Sequence, residues 1–175
     1  FSSFIAQFTD DFESGLGAWT TSAGAGADNG DDWIISSSQA NTGANSVFFD
    51  DYPSDHDRWL ITPTQDLSGM TSPEFTYFEY VNWPTWAGQH NVLYSTDYTN
   101  DVTTATWTTL NSTIGSTAWT EFTYTLPVNS SVTVAFQYVG NYSAEWFIDD
   151  VSIIEAPSCL VPTSLTTSNT TSTSS

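Results

Sequence analysis

The sequence predicts an all-β domain of about eleven short strands, and three observations carry that expectation. Short apolar runs recur along the chain with turn-forming residues between them. In the clearest runs large apolar side chains fall on every second position, the period of a strand with one buried face. No segment shows a sustained i, i+3, i+4 apolar stripe, and aromatics make up 15% of the chain, with 8 Trp, 8 Tyr and 11 Phe. Flat rings pack well on a half-buried pleated surface. These features together describe a sandwich or a barrel.

The elements follow in order. Phe4 to Phe12 and Ala18 to Ser22 are the first candidate strands, and Gly24, Gly26 and Asn29-Gly30 mark the next stretch as a loop. Trp33 to Ser37, Ser46 to Asp50 and Trp59 to Thr62 come next. Phe75 to Asn82 is apolar on both faces, as a central strand should be. His90 to Ser95 and Thr106 to Leu110 precede Thr120 to Leu126, where Phe122 and Tyr124 alternate with Glu121, Thr123 and Thr125. Val132 to Val139 places Val132, Val134, Phe136 and Tyr138 on one face, and Glu145 to Ile154 closes the series. Beyond Glu155 the chain turns Thr/Ser-rich, so residues 1–155 are expected to fold as one domain and 156–175 to form a linker.

The charge balance excludes several partners. The chain has 20 acidic residues against one basic residue, Arg58, and a formal net charge of −19. Such a surface repels nucleic acid and anionic lipid and attracts cations, with divalent metal foremost. Without lysine no lysine–asparagine isopeptide can form, and a single cysteine, Cys159, allows no internal disulfide. Stability is then expected from core packing, with bound metal as a second candidate source. No apolar run approaches the ~18 residues that a membrane-spanning helix needs. The chain starts at Phe1 without a basic or apolar leader and is expected to be a processed or excised part of a larger secreted protein.

Four stretches together resemble the cleaved-adhesin and choice-of-anchor J domains of bacterial surface proteins, which are relatives of the MAM domain. They are Asp10-Asp-Phe-Glu-Ser-Gly-Leu-Gly-Ala-Trp19, Arg58-Trp-Leu-Ile-Thr-Pro-Thr-Gln-Asp-Leu67, His90-Asn-Val-Leu-Tyr-Ser95 with Trp107 and Trp119 further on, and Phe147-Ile-Asp-Asp-Val151. The resemblance implies a jelly-roll sandwich of two antiparallel sheets, in an extracellular adhesion or carbohydrate-associated protein of several modules. It also implies structural Ca²⁺ near the Phe-Glu and Asp-Asp-Val stretches, which carries over Glu13, Asp149 and Asp150. The paired cysteines of eukaryotic MAM domains are missing. Pro157-Ser-Cys-Leu-Val-Pro-Thr-Ser-Leu165 resembles the start of a fibronectin type III module.

Three constellations carry candidate chemistry. Glu13 follows the first strand and Asp149 and Asp150 lie in the last; terminal strands of a jelly roll are often neighbours, so these hard oxygens could converge on one Ca²⁺. Adjacent acids in a strand point to opposite faces, so one of Asp149 and Asp150 is expected to ligate. Asp28-Asn-Gly-Asp-Asp32, with Asp28 and Asp31, has the texture of a calcium loop without full EF-hand spacing, and Asp50, Asp51, Asp55 and Asp57 form a further acidic group. Trp83-Pro-Thr-Trp86 and the pair Tyr142 and Trp146 are candidates to stack on sugar rings beside Asn82, Gln89 and Asn141.

Catalysis has little support. His56 and His90 are the only histidines, no Gly-x-Ser-x-Gly elbow occurs, and Cys159 has no partner. The expected function is a non-catalytic, calcium-stabilised extracellular binding module attached to the cell surface through its parent protein. Its partners would be surface glycans, other extracellular proteins or sibling modules. The alternatives are a carbohydrate-binding module and an accessory domain of a secreted protease or other hydrolase.

Overall fold

The computed structural model describes residues 6–26, 30–50, 55–86 and 88–157. These residues form β1 (Ala6–Asp10), β2 (Thr20–Ala23), β3 (Ile34–Ser36), β4 (Ser46–Phe49), β5 (Asp55–Ile61) and β6 (Pro73–Asn82). They continue with β7 (Gln89–Ser95), β8 (Thr108–Asn111), β9 (Thr120–Thr125), β10 (Thr133–Asn141) and β11 (Glu145–Glu155). Each expected strand is present, and no described helix is long and apolar enough to cross a membrane. One antiparallel sheet runs β3-β4-β11-β6-β9 with β1 also on β11, and the other runs β2-β5-β10-β7-β8. The last strand ends at Glu155, whose carboxylate accepts the Thr71 and Ser72 amides. From Ser158 on, the fibronectin-like stretch, with Cys159, lies outside the described residues.

Alternation sets the layers. Val134, Phe136 and Tyr138 of β10 face Phe75, Tyr77 and Trp146 of the other sheet, with Phe12, Trp19, Trp33 and Phe49 filling the space between. The Phe136 ring stands edge-on to Tyr77 at 5.2 Å and to Trp146 at 5.7 Å. A smaller cluster covers part of the outer face of the five-stranded sheet, where Trp59, Ile61, Leu93, Ala135 and Val102 pack with Tyr98 and Trp107.

Two strands differ from the sequence expectation. β5 begins at Asp55 rather than Trp59, because β10 pairs with it from Asn141↔Asp55 to Ala135↔Ile61. Polar side chains are tolerated there because they find partners: Arg58 pairs with Asp32 at 2.8 Å, and Asp57 accepts from Trp59 and Gln137. In β6 the inward face carries Phe75, Tyr77, Glu79 and Val81, while Phe78 and Tyr80 lie on the other side. Tyr80 meets Trp119 and Phe147 there, at 5.8 and 5.9 Å.

Glu79 is the polar exception in the core. It is fully buried, its Oε2 accepts the Trp146 indole N–H at 3.0 Å, and its Oε1 has no partner. Burial pushes its carboxyl from 4.5 up to about 7, against the lowering effect of the indole bond. The folded chain therefore holds this proton longer than the unfolded chain does. Stability contributed by the neutral acid is fully present below about pH 4.5 and is lost as pH rises towards 7. Glu79→Gln should remove that slope and exceed the native protein in stability at pH 8 by on the order of 3 kcal/mol. Urea melts of both proteins at pH 5 and pH 8 measure this, and a variant no more stable at pH 8 would show that the carboxylate is not desolvated.

Candidate functional site

The loop that leaves β6 and the turn between β10 and β11 meet at one end of the sandwich. Trp83 and Trp86 come from the loop, with the Trp86 amide donating to the Trp83 carbonyl at 2.9 Å. Tyr142 comes from the turn. The three rings form a run: Trp83 to Trp86 at 5.9 Å, and Trp86 stacked on Tyr142 at 5.1 Å with planes 15° apart. They are also exposed, at 58% for Trp83, 41% for Trp86 and 50% for Tyr142.

Two of these residues hold unusual backbone. Trp83 has φ 58° and Tyr142 has φ 56°. Bulky residues in the left-handed region are strained, and such strain persists only where the surroundings over-determine it. The supports are visible. Gly88 (φ 149°) backs onto Ser143 so closely that a Cβ would come within 2.6 Å of its Oγ. The Tyr138 hydroxyl bonds to both Ser143 Oγ, at 2.9 Å, and the Ala144 carbonyl, at 2.7 Å. Asn82 donates to Glu145 Oε2 at 2.7 Å and ties the end of β6 to the start of β11.

Trp146 corrects the sequence expectation. It is fully buried, gives its N–H to Glu79 and stacks on His90 at 4.4 Å, so its ring belongs to the core and is closed to a sugar. The indole lies on the inward side of β11, a direction set by strand register. His90 is buried with it, and desolvation pushes its imidazole down to about 3, which leaves it neutral and without use as an acid.

Carboxylates from just beyond the first strand and from the last strand meet on one loop. Glu13 Oε1 accepts the amides of Ala44 and Asn45 at 2.7 and 2.6 Å. Asp149 Oδ2 accepts the amides of Asn41 and Thr42, and the two oxygens of Asp150 accept Asn41 Nδ2 and Thr42 Oγ1. Both Asp149 and Asp150 therefore reach the same loop, contrary to the opposite-face expectation. The reason is a bulge between Asp149 and Ser152, with Asp150 at φ 47°, which breaks the alternation. Asp149 is fully buried, and desolvation raises its carboxyl to about 6 despite the amide bonds that lower it. An open cavity of about 490 Å³ lies beside the bulge, lined in part by Asp10, Asp11, Ser14 and Asp150.

Asp28 lies outside the described residues. Asp31 stands 3.3 Å from His56 Nε2, and Asp50 is half-buried just after β4. Among the described residues no three His, Cys, Asp or Glu side chains are close enough to hold an ion by themselves. Sequence reasoning missed Glu79 and the loop 41–45; the Asn-Thr-Gly-Ala-Asn run was the available sign of a turn that offers amides.

No family model matches this sequence, and no curated protein does. Solved structures match the fold. The K3 cleaved adhesin domain of Lys-gingipain from Porphyromonas gingivalis has a TM-score of 0.66 at 20% identity, covering 88% of this chain and 100% of that one. The module TmCBM61, solved with β-1,4-galactotriose, has a TM-score of 0.59 at 16% identity over 82% of this chain and 92% of its own. The CBM22-1 xylan-binding domain of Paenibacillus barcinonensis Xyn10C has a TM-score of 0.56 at 14% identity over 89% and 98%. At these identities the likeness is one of fold, and that fold is the sandwich of the cleaved-adhesin domains that the sequence resembles.

The strain at Trp83 can be measured apart from its ring. Trp83→Gly and Trp83→Ala both remove the indole, but glycine enters the left-handed region freely. The glycine variant should therefore be the more stable of the two by about 1 kcal/mol. Thermal melts of both decide it, and an alanine variant of equal or greater stability would show that the backbone is not strained.

Proposed function

We propose that this chain is a non-catalytic extracellular binding module that takes neutral sugar rings on Trp83, Trp86 and Tyr142. The observation that carries this is the exposed run of three rings, two of them on left-handed backbone. A sugar ring presents a C–H face to an aromatic plane, and Asn82, Gln89 and Asn141 lie beside the rings in sequence to meet hydroxyls. The net charge of −19 disfavours sulfated or uronate-rich glycans. The solved structures that share the fold include adhesin and sugar-binding modules, which supports binding over chemistry. Surface glycans are the first partners to test; other extracellular proteins and sibling modules of the same parent come next.

Trp83→Ala and Trp86→Ala should each weaken binding to neutral glycans roughly tenfold or more, as the loss of an aromatic anchor does. A glycan array followed by titration calorimetry measures this. Unchanged binding in both variants would remove the cluster from the site.

Calcium forms a second reading, carried by the carboxylates around loop 41–45. Glu13, Asp149 and Asp150 would hold the ion together with carbonyl oxygens of the loop, which suits a hard cation. Their oxygens accept amides and a hydroxyl of the loop in this structure, so an ion would have to replace those hydrogen bonds; Arg58, the one Lys or Arg of the chain, pairs with Asp32. A bound ion would neutralise the three carboxylates and tie the loop to the first and last strands. At pH 7 calcium should raise the melting temperature and chelator should lower it, by about 2.7 kcal/mol of stability at a hundredfold excess over Kd. The gain should fade as pH falls through about 6, where protons compete for Asp149. A melting temperature indifferent to calcium and chelator at pH 7 would end this reading.

A further inference from the structure

We propose that the sugar site continues from the Trp83–Trp86–Tyr142 cluster onto the outer face of the five-stranded sheet, where Asn91, Gln137 and Asp57 form a hydrogen-bonding floor for a neutral oligosaccharide. This rests on the reading of the cluster as a sugar-binding surface, and it names the ligand as a chain rather than a single ring.

Strand register places the floor. Gln137 of β10 pairs with Asn91 of β7 on one side and with Trp59 of β5 on the other, and Val139 pairs with Gln89 and Asp57. Trp59, Ile61, Leu93 and Ala135 belong to the outer cluster, so the odd-numbered positions of these three strands face outward. Asn91 Nδ2 donates to Gln137 Oε1 at 3.0 Å, and Gln137 Nε2 donates to Asp57 Oδ1 at 2.9 Å. Asp57 Oδ1 also accepts the Trp59 indole N–H at 3.0 Å, and its Oδ2 accepts the Gly26 amide at 3.1 Å.

This network holds two amides in fixed orientations across the middle of a sheet. Asn91 and Gln137 are half-buried and Asp57 is buried, so the groups are set before any ligand arrives. Each amide uses one N–H within the network and keeps a second, and the Asn91 carbonyl keeps its acceptor sites. Uncharged groups that offer donors and acceptors side by side suit hydroxyls, which do both. Asp57 is buried with both oxygens engaged, so its part in the floor is to hold Gln137 in place.

The strip has two ends. At one, Gln89 and Asn141 are exposed, and Asn141 is followed in the chain by Tyr142 of the aromatic cluster. At the other, Trp107 lies over Trp59 at 4.9 Å with Tyr98 beside it at 5.6 Å, forming a wall. From Gln89 to Leu93 the strand advances about 13 Å, which is longer than one sugar ring.

The test uses the native protein with four neutral β-1,4-linked series, xylo-, galacto-, gluco- and manno-oligosaccharides, of increasing length. Calorimetry should show affinity rising from the single sugar to the longer oligomers of the series that binds. Gln137→Ala and Asn91→Ala should lose about tenfold on long oligomers and little on the single sugar, the loss of one or two hydrogen bonds. Side-chain amide resonances of Asn91 and Gln137 should shift in the native protein at saturation, a readout that needs no variant to fold. If Trp83→Ala loses binding while both floor variants match the native protein at every length, or if those amide resonances stay still, the floor is wrong and the cluster stands. If the native protein binds none of the four series, the cluster reading and the floor fall together.

Discussion

β11 must serve three partners, and the rest of the molecule is arranged around that requirement. One of its edges pairs with β6 along most of its length. The other edge pairs with β4 through Trp146, Phe147 and Ile148, then with β1 from Val151 to Ile154. Two strands placed end to end against a third leave a seam, and the seam falls at Asp149 and Asp150. There the bulge inserts an extra residue, turns Asp150 into the left-handed region and aims both carboxylates at the loop that leads into β4. Glu13, just beyond β1, grips the same loop from the other side. The acids at the seam thus do for the backbone what ladder bonds do elsewhere: they satisfy the amides left where one strand ends and the next begins.

The same economy runs through the whole chain. With one Arg and no Lys, acids cannot be neutralised in pairs, so they accept bonds from hydroxyls and amides close by. Asp97 takes the Ser95 hydroxyl and the Thr106 amide, and its carboxyl is held below the usual range first by the Ser95 bond. Asp66 with Ser68 and Asp101 with Thr103 repeat the pattern on other turns, again with the hydroxyl as the larger cause. Abundant Ser and Thr therefore accompany the acidity as its local partners. The one guanidinium is placed on β5, where it holds Asp32 against the sandwich.

The end of the sandwich that carries the exposed rings depends on the core beneath it. Tyr138 and His90 project from neighbouring strands β10 and β7, and both bond to the Ala144 carbonyl inside the β10–β11 turn. Trp146 stacks on His90 and is held in turn by Glu79. A buried polar chain of this kind is costly unless satisfied; here the Tyr138 hydroxyl and the Trp146 N–H are satisfied, while Glu79 Oε1 and His90 Nδ1 have no hydrogen-bond partner among the described residues. The Tyr138 bonds anchor the turn that carries Tyr142, which like Trp83 has left-handed backbone and an exposed ring. Under the proposed sugar-binding reading, rings held in place beforehand would lose less freedom on binding.

Strand order along the chain was legible because period-two alternation is local: Val132 to Tyr138 and Phe122 to Tyr124 declare a buried face from the chemistry of near neighbours. The extent of β5 was not, since Asp55-His56-Asp57-Arg58 is polar in isolation and becomes strand only when β10 lies beside it. For the site, Trp83, Trp86 and Tyr142 were nameable as aromatic residues near loops, as was Trp146. Sequence alone determined the all-β class, the acidity and the surplus of indole rings. Tertiary structure decided which rings meet water: Trp146, facing inward from β11, is sealed between two sheets, while Trp83, just past the end of β6, has no sheet to cover it. It also decided that Glu79 would be buried and Phe78 turned away, because a strand's facing is imposed by its pairing with neighbours, and hydropathy cannot overrule a ladder of backbone hydrogen bonds.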